Sequence, residues 1–110
     1  MPVRREVPAK LPIAWDRIEA FCRRWGIAEF ALFGSVLRDD FRPDSDVDVL
    51  VSYAPDASPS LLDHAEKEEE LAEIFGRPVD LISRQAVEHS RNPYRRRSIL
   101  ESARVIYESA

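Results

Sequence analysis

The sequence predicts a mixed α+β (α/β) fold, a small mixed sheet flanked by helices, in a single domain. Three observations lead there. At 110 residues the chain has room for one hydrophobic core and not for two. Three short apolar runs, over 28–33, 46–53 and 79–82, are bounded by turn residues and read as strands. Between and around them lie stretches whose apolar residues recur at helical spacing. Strand order stays open, because alternation fixes the face a residue takes and not the strand beside it.

Residues 1–11 mix prolines and charges without period and read as a loose N-terminal arm, which leaves 12–110 as the domain. Pro12 suits the first turn of a helix. Ala14, Ile18, Phe21, Cys22 and Trp25 follow at i, i+4, i+7, i+8 and i+11, one continuous apolar stripe, and Gly26 stops the helix. Cys22 lies on that stripe with no histidine nearby, so it reads as a small core residue rather than a nucleophile. The strand at 28–33 leads into a short turn or helical start at 34–37. A polar loop at 38–45 ends in a Pro-Asp-Ser turn signal, and the second strand follows. Ser58 or Ser60 is the expected cap of a helix that ends at Phe75, with Leu61, Leu62, Ala65, Ala72 and Phe75 as its buried face. The acidic run at 66–70 (EKEEE) reads as that helix's solvated side. Gly76 and Pro78 end it, and the third strand begins at once. Residues 83–92 are ambiguous between loop and short helix. Pro93 opens a last helix to about Ser102, and 104–107 (RVIY) reads as a short edge strand.

Composition excludes several function classes. A net charge of −4 gives no footprint for direct nucleic-acid binding. No apolar run approaches the roughly 18 residues of a membrane span, and the N-terminus lacks the apolar core of a signal peptide. One cysteine excludes an internal disulfide and fits a reducing compartment, so a cytoplasmic protein is expected.

The chemistry concentrates in one stretch, 31–51 (ALFGSVLRDDFRPDSDVDVLV). In a strand, Asp46 and Asp48 project to one side while Val47, Val49 and Val51 project to the other. Two carboxylates roughly 7 Å apart are costly to bury unpaired, and a divalent cation would relieve that cost. Gly34-Ser35, at the end of the preceding strand, is placed to offer backbone N–H groups and a hydroxyl to an anion. Cation ligands beside a phosphate cradle suggest a nucleotide site. Asp80, with Val79 and Leu81 on the opposite face, joins Asp46 and Asp48 if the second and third strands are neighbours. An EF-hand fails on Val49 and Pro55, where the loop needs Gly and Glu. His64 and His89 are isolated and lack metal-ligand spacing. Arg91, Arg95, Arg96 and Arg97, around Pro93-Tyr94, read as a solvated helix face ahead of a contact for phosphates or an acidic partner.

Gly34-Ser35-x-x-Arg38, followed after six residues by Ser45-Asp46-x-Asp48, resembles the signature of the DNA polymerase β-like nucleotidyltransferases. The short chain looks most like their minimal nucleotidyltransferase (MNT) branch, often the antitoxin partner of HEPN-domain toxins. The resemblance runs from about Trp15 to the C-terminus. The family usually has Gly directly after the arginine; here it is Asp39, a residue that tolerates the left-handed conformation better than most. The resemblance implies that Asp46 and Asp48 hold two Mg²⁺ ions. Asp80 would be the third ligand, bound to the ion that activates the attacking hydroxyl, and would also accept its proton. Gly34, Ser35, Arg38 and Ser45 would form the nucleotide-binding part. Ser35 would bond the β- or γ-phosphate, and Arg38 either bridges the site loop or reaches a phosphate. The implied reaction moves AMP from ATP to a hydroxyl, a tyrosine of a cognate HEPN toxin in this branch. Two rivals stand beside it: a non-catalytic antitoxin that acts by binding alone, and a small-molecule, aminoglycoside-type nucleotidyltransferase. The second is disfavoured by the small size, which leaves the acceptor surface to a partner.

Overall fold

Val47, Val49 and Val51 take one face of their strand and Asp48 and Leu50 the other, and that alternation sorts the molecule into two sides. The computed structural model describes residues 3–5, 12–38, 42, 45–55 and 63–109. In chain order these form β1 (Val3–Arg4), α1 (Trp15–Trp25), β2 (Ile27–Phe33), a 3₁₀ turn (Gly34–Leu37), β3 (Val47–Tyr53), α2 (His64–Phe75), β4 (Val79–Ser83), α3 (Arg84–Glu88), α4 (Pro93–Ser102) and β5 (Arg104–Glu108). One sheet holds all five strands in the order β1-β5-β2-β3-β4. β3 and β4 are parallel, with α2 as the crossover such a pair needs, and the other neighbours are antiparallel. The second and third strands read from the sequence are therefore adjacent, as a shared carboxylate face requires.

The valine face carries the larger core. Ile18, Phe21 and Cys22 of α1 and Leu71 of α2 pack on Phe30, Leu32, Val47, Val49, Val51, Leu81 and Ile106. Each large apolar side chain fully buried here stabilises the fold by about 1.5–3 kcal/mol. On the other face Ala31, Phe33 and Leu50 pack under Val87 of α3 and Ile99 of α4, a smaller cluster. Both short helices have side-chain caps. Ser83 Oγ accepts from the Ala86 N–H (3.2 Å), and Asn92 Oδ1 accepts from the N–H groups of Tyr94 and Arg95, each at 3.1 Å.

Several expectations need correction. Val3–Arg4, inside the expected loose arm, pairs with β5 as a short strand, so β5 is not the sheet's edge. Two residues carry no alternation to read; the open edge of β5 creates the strand. α1 begins at Trp15, behind Pro12, with Ala14 as the residue before it. Ser58, Ser60, Leu61 and Leu62 lie outside the described residues, as does the rest of the arm apart from Val3, Arg4 and Arg5. Within α2, Ala65 is exposed, and the helix is buried through Lys67 and Leu71, one turn apart. The acidic run is thus only partly a solvated face. Lys67 is 3 % exposed, donates to Tyr53 Oη (2.8 Å) and lies over the rings of Trp25 and Tyr53. Glu70 accepts from the Trp25 indole N–H at 3.0 Å. Glu68 accepts from the Leu81 N–H at 2.9 Å, which occupies a donor on the outer strand β4. Among the described residues, no helix is long and apolar enough to cross a membrane.

Candidate active site

Asp48 on β3 lies in register with Asp80 on the parallel strand β4, and opposite Phe33, the last residue of β2. Neighbouring strands are about 4.8 Å apart, and in-register side chains of a parallel pair take the same side. Both carboxylates therefore open on the face of Leu50 and Ile82, under α4. The chain leaves β2 at Gly34 with φ +75°, the left-handed region that disfavours any Cβ. A Cβ at Gly34 would also stand 3.2 Å from Asp48 Cγ and collide with its Oδ2. Glycine is thus required twice, and its bare backbone lies directly against the Asp48 carboxylate.

These groups line a cleft of about 600 Å³. Gly34, Leu37 and Arg38 after β2, Arg104 at the start of β5, Asp48 and Asp80, and Arg95, Ser98 and Ser102 of α4 all line it. Partial burial pushes the Asp48 carboxyl above the usual range. Repulsion from Asp80 and Asp46 adds to the rise, and Arg38 and Arg95 oppose it. A carboxylate crowded by two others is a place where a cation lowers the energy.

The donor set suits a hard divalent cation. It offers only oxygens, and Mg²⁺ is commonly held by one or two carboxylates together with substrate phosphates rather than by a complete protein cage. Among the described residues, no three acidic, histidine or cysteine side chains form such a cage. Asp48 and Asp80 lie in register, while Asp46, exposed like Asp80 and near enough to repel Asp48, lies one residue ahead of the β3 ladder. Like charges repel, and Asp46 is the carboxylate that strand pairing does not hold in place.

The other expected site residues divide as well. Gly34 and Arg38 line the cleft. Ser35, partly buried, lies in the 3₁₀ turn, where its carbonyl accepts from the Arg38 N–H at 2.9 Å. Ser45 lies in the loop ahead of β3: its hydroxyl accepts from the Arg42 N–H (3.0 Å) and its N–H donates back to the Arg42 carbonyl (2.9 Å). Arg77 donates to the same Arg42 carbonyl at 3.1 Å. Asp39 is outside the described residues. His64 and His89 are exposed. Burial pushes the Cys22 thiol up to about 12, which removes it as a nucleophile.

Sequence reasoning missed the α4 wall. Arg95, read as a solvated face ahead of a contact for phosphates or an acidic partner, lines the cleft with Ser98, Ile99 and Ser102, at i, i+3, i+4 and i+7. That is one helix face, but a polar one, so a search for apolar periodicity passes over it.

Residues 17–106 match the nucleotidyltransferase domain family. The protein adenylyltransferase MntA of Thermococcus cleftensis is 41% identical over 64 residues, which cover 58% of this chain and 63% of that relative, less than two thirds of its length. A Methanocaldococcus jannaschii protein, provisionally named as a protein adenylyltransferase, is 35% identical over 78 residues, 71% of this chain and 75% of the relative. Among solved structures, a toxin-antitoxin with AMP-PNP superposes with a TM-score of 0.68 at 18% identity, covering 88% of this chain and 75% of that one. A complex of tri-AMPylated Shewanella oneidensis HEPN toxin with MNT antitoxin gives 0.59 at 19% identity, covering 86% and 69%. At these identities the two structures show the fold alone. The chain belongs to the nucleotidyltransferase domain family, as a minimal, polymerase β-like member.

Proposed function

We propose that this chain is a Mg²⁺-dependent protein adenylyltransferase that moves AMP from ATP to a tyrosine hydroxyl of a HEPN-type toxin, and so serves as the toxin's antitoxin in the cytoplasm. The observation that carries the chemistry is the Asp48–Asp80 pair set against the bare backbone of Gly34 in one cleft. The acceptor is inferred from the relatives, which are named as protein adenylyltransferases, and from the AMPylated toxin of the related complex.

In this reading 12–110 is the transfer domain. Asp48 and Asp80 would hold Mg²⁺, with the nucleotide's phosphates completing the set and Asp46 joining once a cation offsets the repulsion. When bound, the cation supplies charge neutralisation at the phosphoryl oxygens and the leaving group. The protein's own residues do the rest. Gly34 lets the phosphate chain approach the turn, and Ser35 offers it a hydroxyl. Arg38 and Arg104 balance its charge. Phe33, Leu37 and Ile99 keep the apolar side of the cleft dry. Asp80 accepts the proton of the incoming hydroxyl.

Co-expression with the HEPN partner, followed by intact-mass spectrometry, tests this reading. The wild type is expected to add AMP to the partner, and Asp48→Ala to add none while the complex stays intact. An unmodified but neutralised partner would support an antitoxin that works by binding alone. Modification that persists with Asp48→Ala would mean the catalytic carboxylates lie elsewhere.

A further inference from the structure

A second, smaller hollow of about 220 Å³ adjoins the cleft. Ile82, Ala86, Val87 and Ile99 give it an apolar lining, and Arg95 and Arg96 give it cationic edges. It shares Arg95 and Ile99 with the cleft, so the two spaces lie side by side. Arg96 is anchored, donating to the Ser90 carbonyl at 3.3 Å. Ile82 stands two residues beyond Asp80 on β4 and on the same face, so the hollow begins where the carboxylates end.

We propose that this hollow seats the aromatic ring of the acceptor tyrosine. The inference rests on the adenylyltransferase reading and adds the place of the acceptor. Direction decides between possible occupants. Displacement at phosphorus needs the attacking and leaving oxygens roughly in line. Gly34 and Arg38 follow β2, and Arg104 opens β5, so the leaving pyrophosphate is held on the β2–β5 side of Asp48. The attacking oxygen must then arrive from the opposite side, the side of β4 and α3. The hollow lies there, and its chemistry suits a phenol ring: an apolar seat for the ring's face and arginine edges for its π-electrons. In the step itself, the phenol oxygen forms a bond to the α-phosphorus. The bond from that phosphorus to the bridging oxygen breaks, pyrophosphate departs with the electron pair, and the phenolic proton passes to Asp80.

Ala86 provides the test, because it is exposed on α3 yet lines the hollow, so a larger side chain there fills the space without entering the core. The protein is loaded with Mg²⁺ and α,β-methylene-ATP, whose α–β bridge cannot be broken, and titrated with N-acetyltyrosinamide while backbone amide resonances are followed. Shifts are expected at Ala86, Val87, Arg95 and Ile99, and none with N-acetylserinamide. Ala86→Leu and Ala86→Phe are expected to weaken the tyrosine response progressively, the latter by about a hundredfold or to nothing, with unchanged nucleotide affinity and melting temperature. Tyrosine shifts elsewhere, or none, overturn the proposal while leaving the adenylyltransferase reading in place. Loss of nucleotide affinity in Ala86→Phe overturns it in favour of a base pocket. A wild type that binds no nucleotide overturns both.

Discussion

The two faces of the sheet use the same strands for opposite purposes. Toward α1 and α2, β3 presents Val47, Val49 and Val51, all fully buried, against a continuous apolar layer. Toward α3 and α4 the same strand presents Leu50 and then, one alternation nearer its start, Asp48. There the apolar layer thins, and α4 covers the gap with Arg95, Ser98 and Ser102 beside Ile99. The closed face supplies most of the burial energy, so the open face can keep crowded carboxylates that do nothing for stability.

That division can be broken experimentally. Phe30→Ala, on the closed face and in edge contact with Phe21, should cost about 3–5 kcal/mol of stability, read by denaturant unfolding, with nucleotide affinity unchanged in the folded fraction. Ile99→Ala, on the open face, should cost nearer 2 kcal/mol but also weaken nucleotide binding, because Ile99 lines the cleft. Equal costs with equal effects on binding would erase the distinction.

Two glycines sharpen it. Gly34 and Gly76 have nearly the same backbone, φ 75° and 73°. A Cβ at Gly76 meets nothing within 4 Å, whereas at Gly34 it meets Asp48. Gly76→Ala should therefore cost only the left-handed strain, about 1–2 kcal/mol. Gly34→Ala should add to that strain a loss of ATP affinity of at least about tenfold, as Asp48 is pushed aside. Calorimetry on both variants reads both quantities.

The smallest expected effect concerns pH. The raised Asp48 carboxyl means that the folded protein binds this proton more tightly than the unfolded chain. Stability from this group is therefore full below the ordinary Asp value, about 3.9, and is lost as pH rises through the folded value. In EDTA, Asp48→Asn should melt above the wild type at pH 7, and the gap should close as the pH falls. A gap that widens in acid would reverse the assignment.

Much of this organisation was legible in the sequence, for a physical reason. Alternation in a strand is strict, so the faces of Asp48 and Asp80 followed from parity alone, and only the adjacency of β3 and β4 had to be seen. Lys67 was misread because a long side chain can bury its stem and satisfy its ammonium on Tyr53 and Trp25, which a count of charges does not reveal. The α4 wall was missed for a related reason: Arg and Ser along a helix look the same whether they face water or a cleft. The motif names Ser45, and the turn its hydroxyl closes with Arg42 is visible only in the structure. Asp46 lies just outside the ladder, where parity no longer holds a side chain to a face.

The central claim is that the open face binds a nucleotide through its carboxylates and a cation. Calorimetric titration of ATP tests it most directly, with Mg²⁺ or with EDTA, on the wild type, Asp48→Asn and Asp80→Asn. Tight binding is expected for the wild type with Mg²⁺ and not in EDTA, and the affinity with Mg²⁺ falls by about tenfold or more in each variant while the fold stays intact. Equal ATP affinity in EDTA, or undiminished affinity in both variants, would contradict the claim.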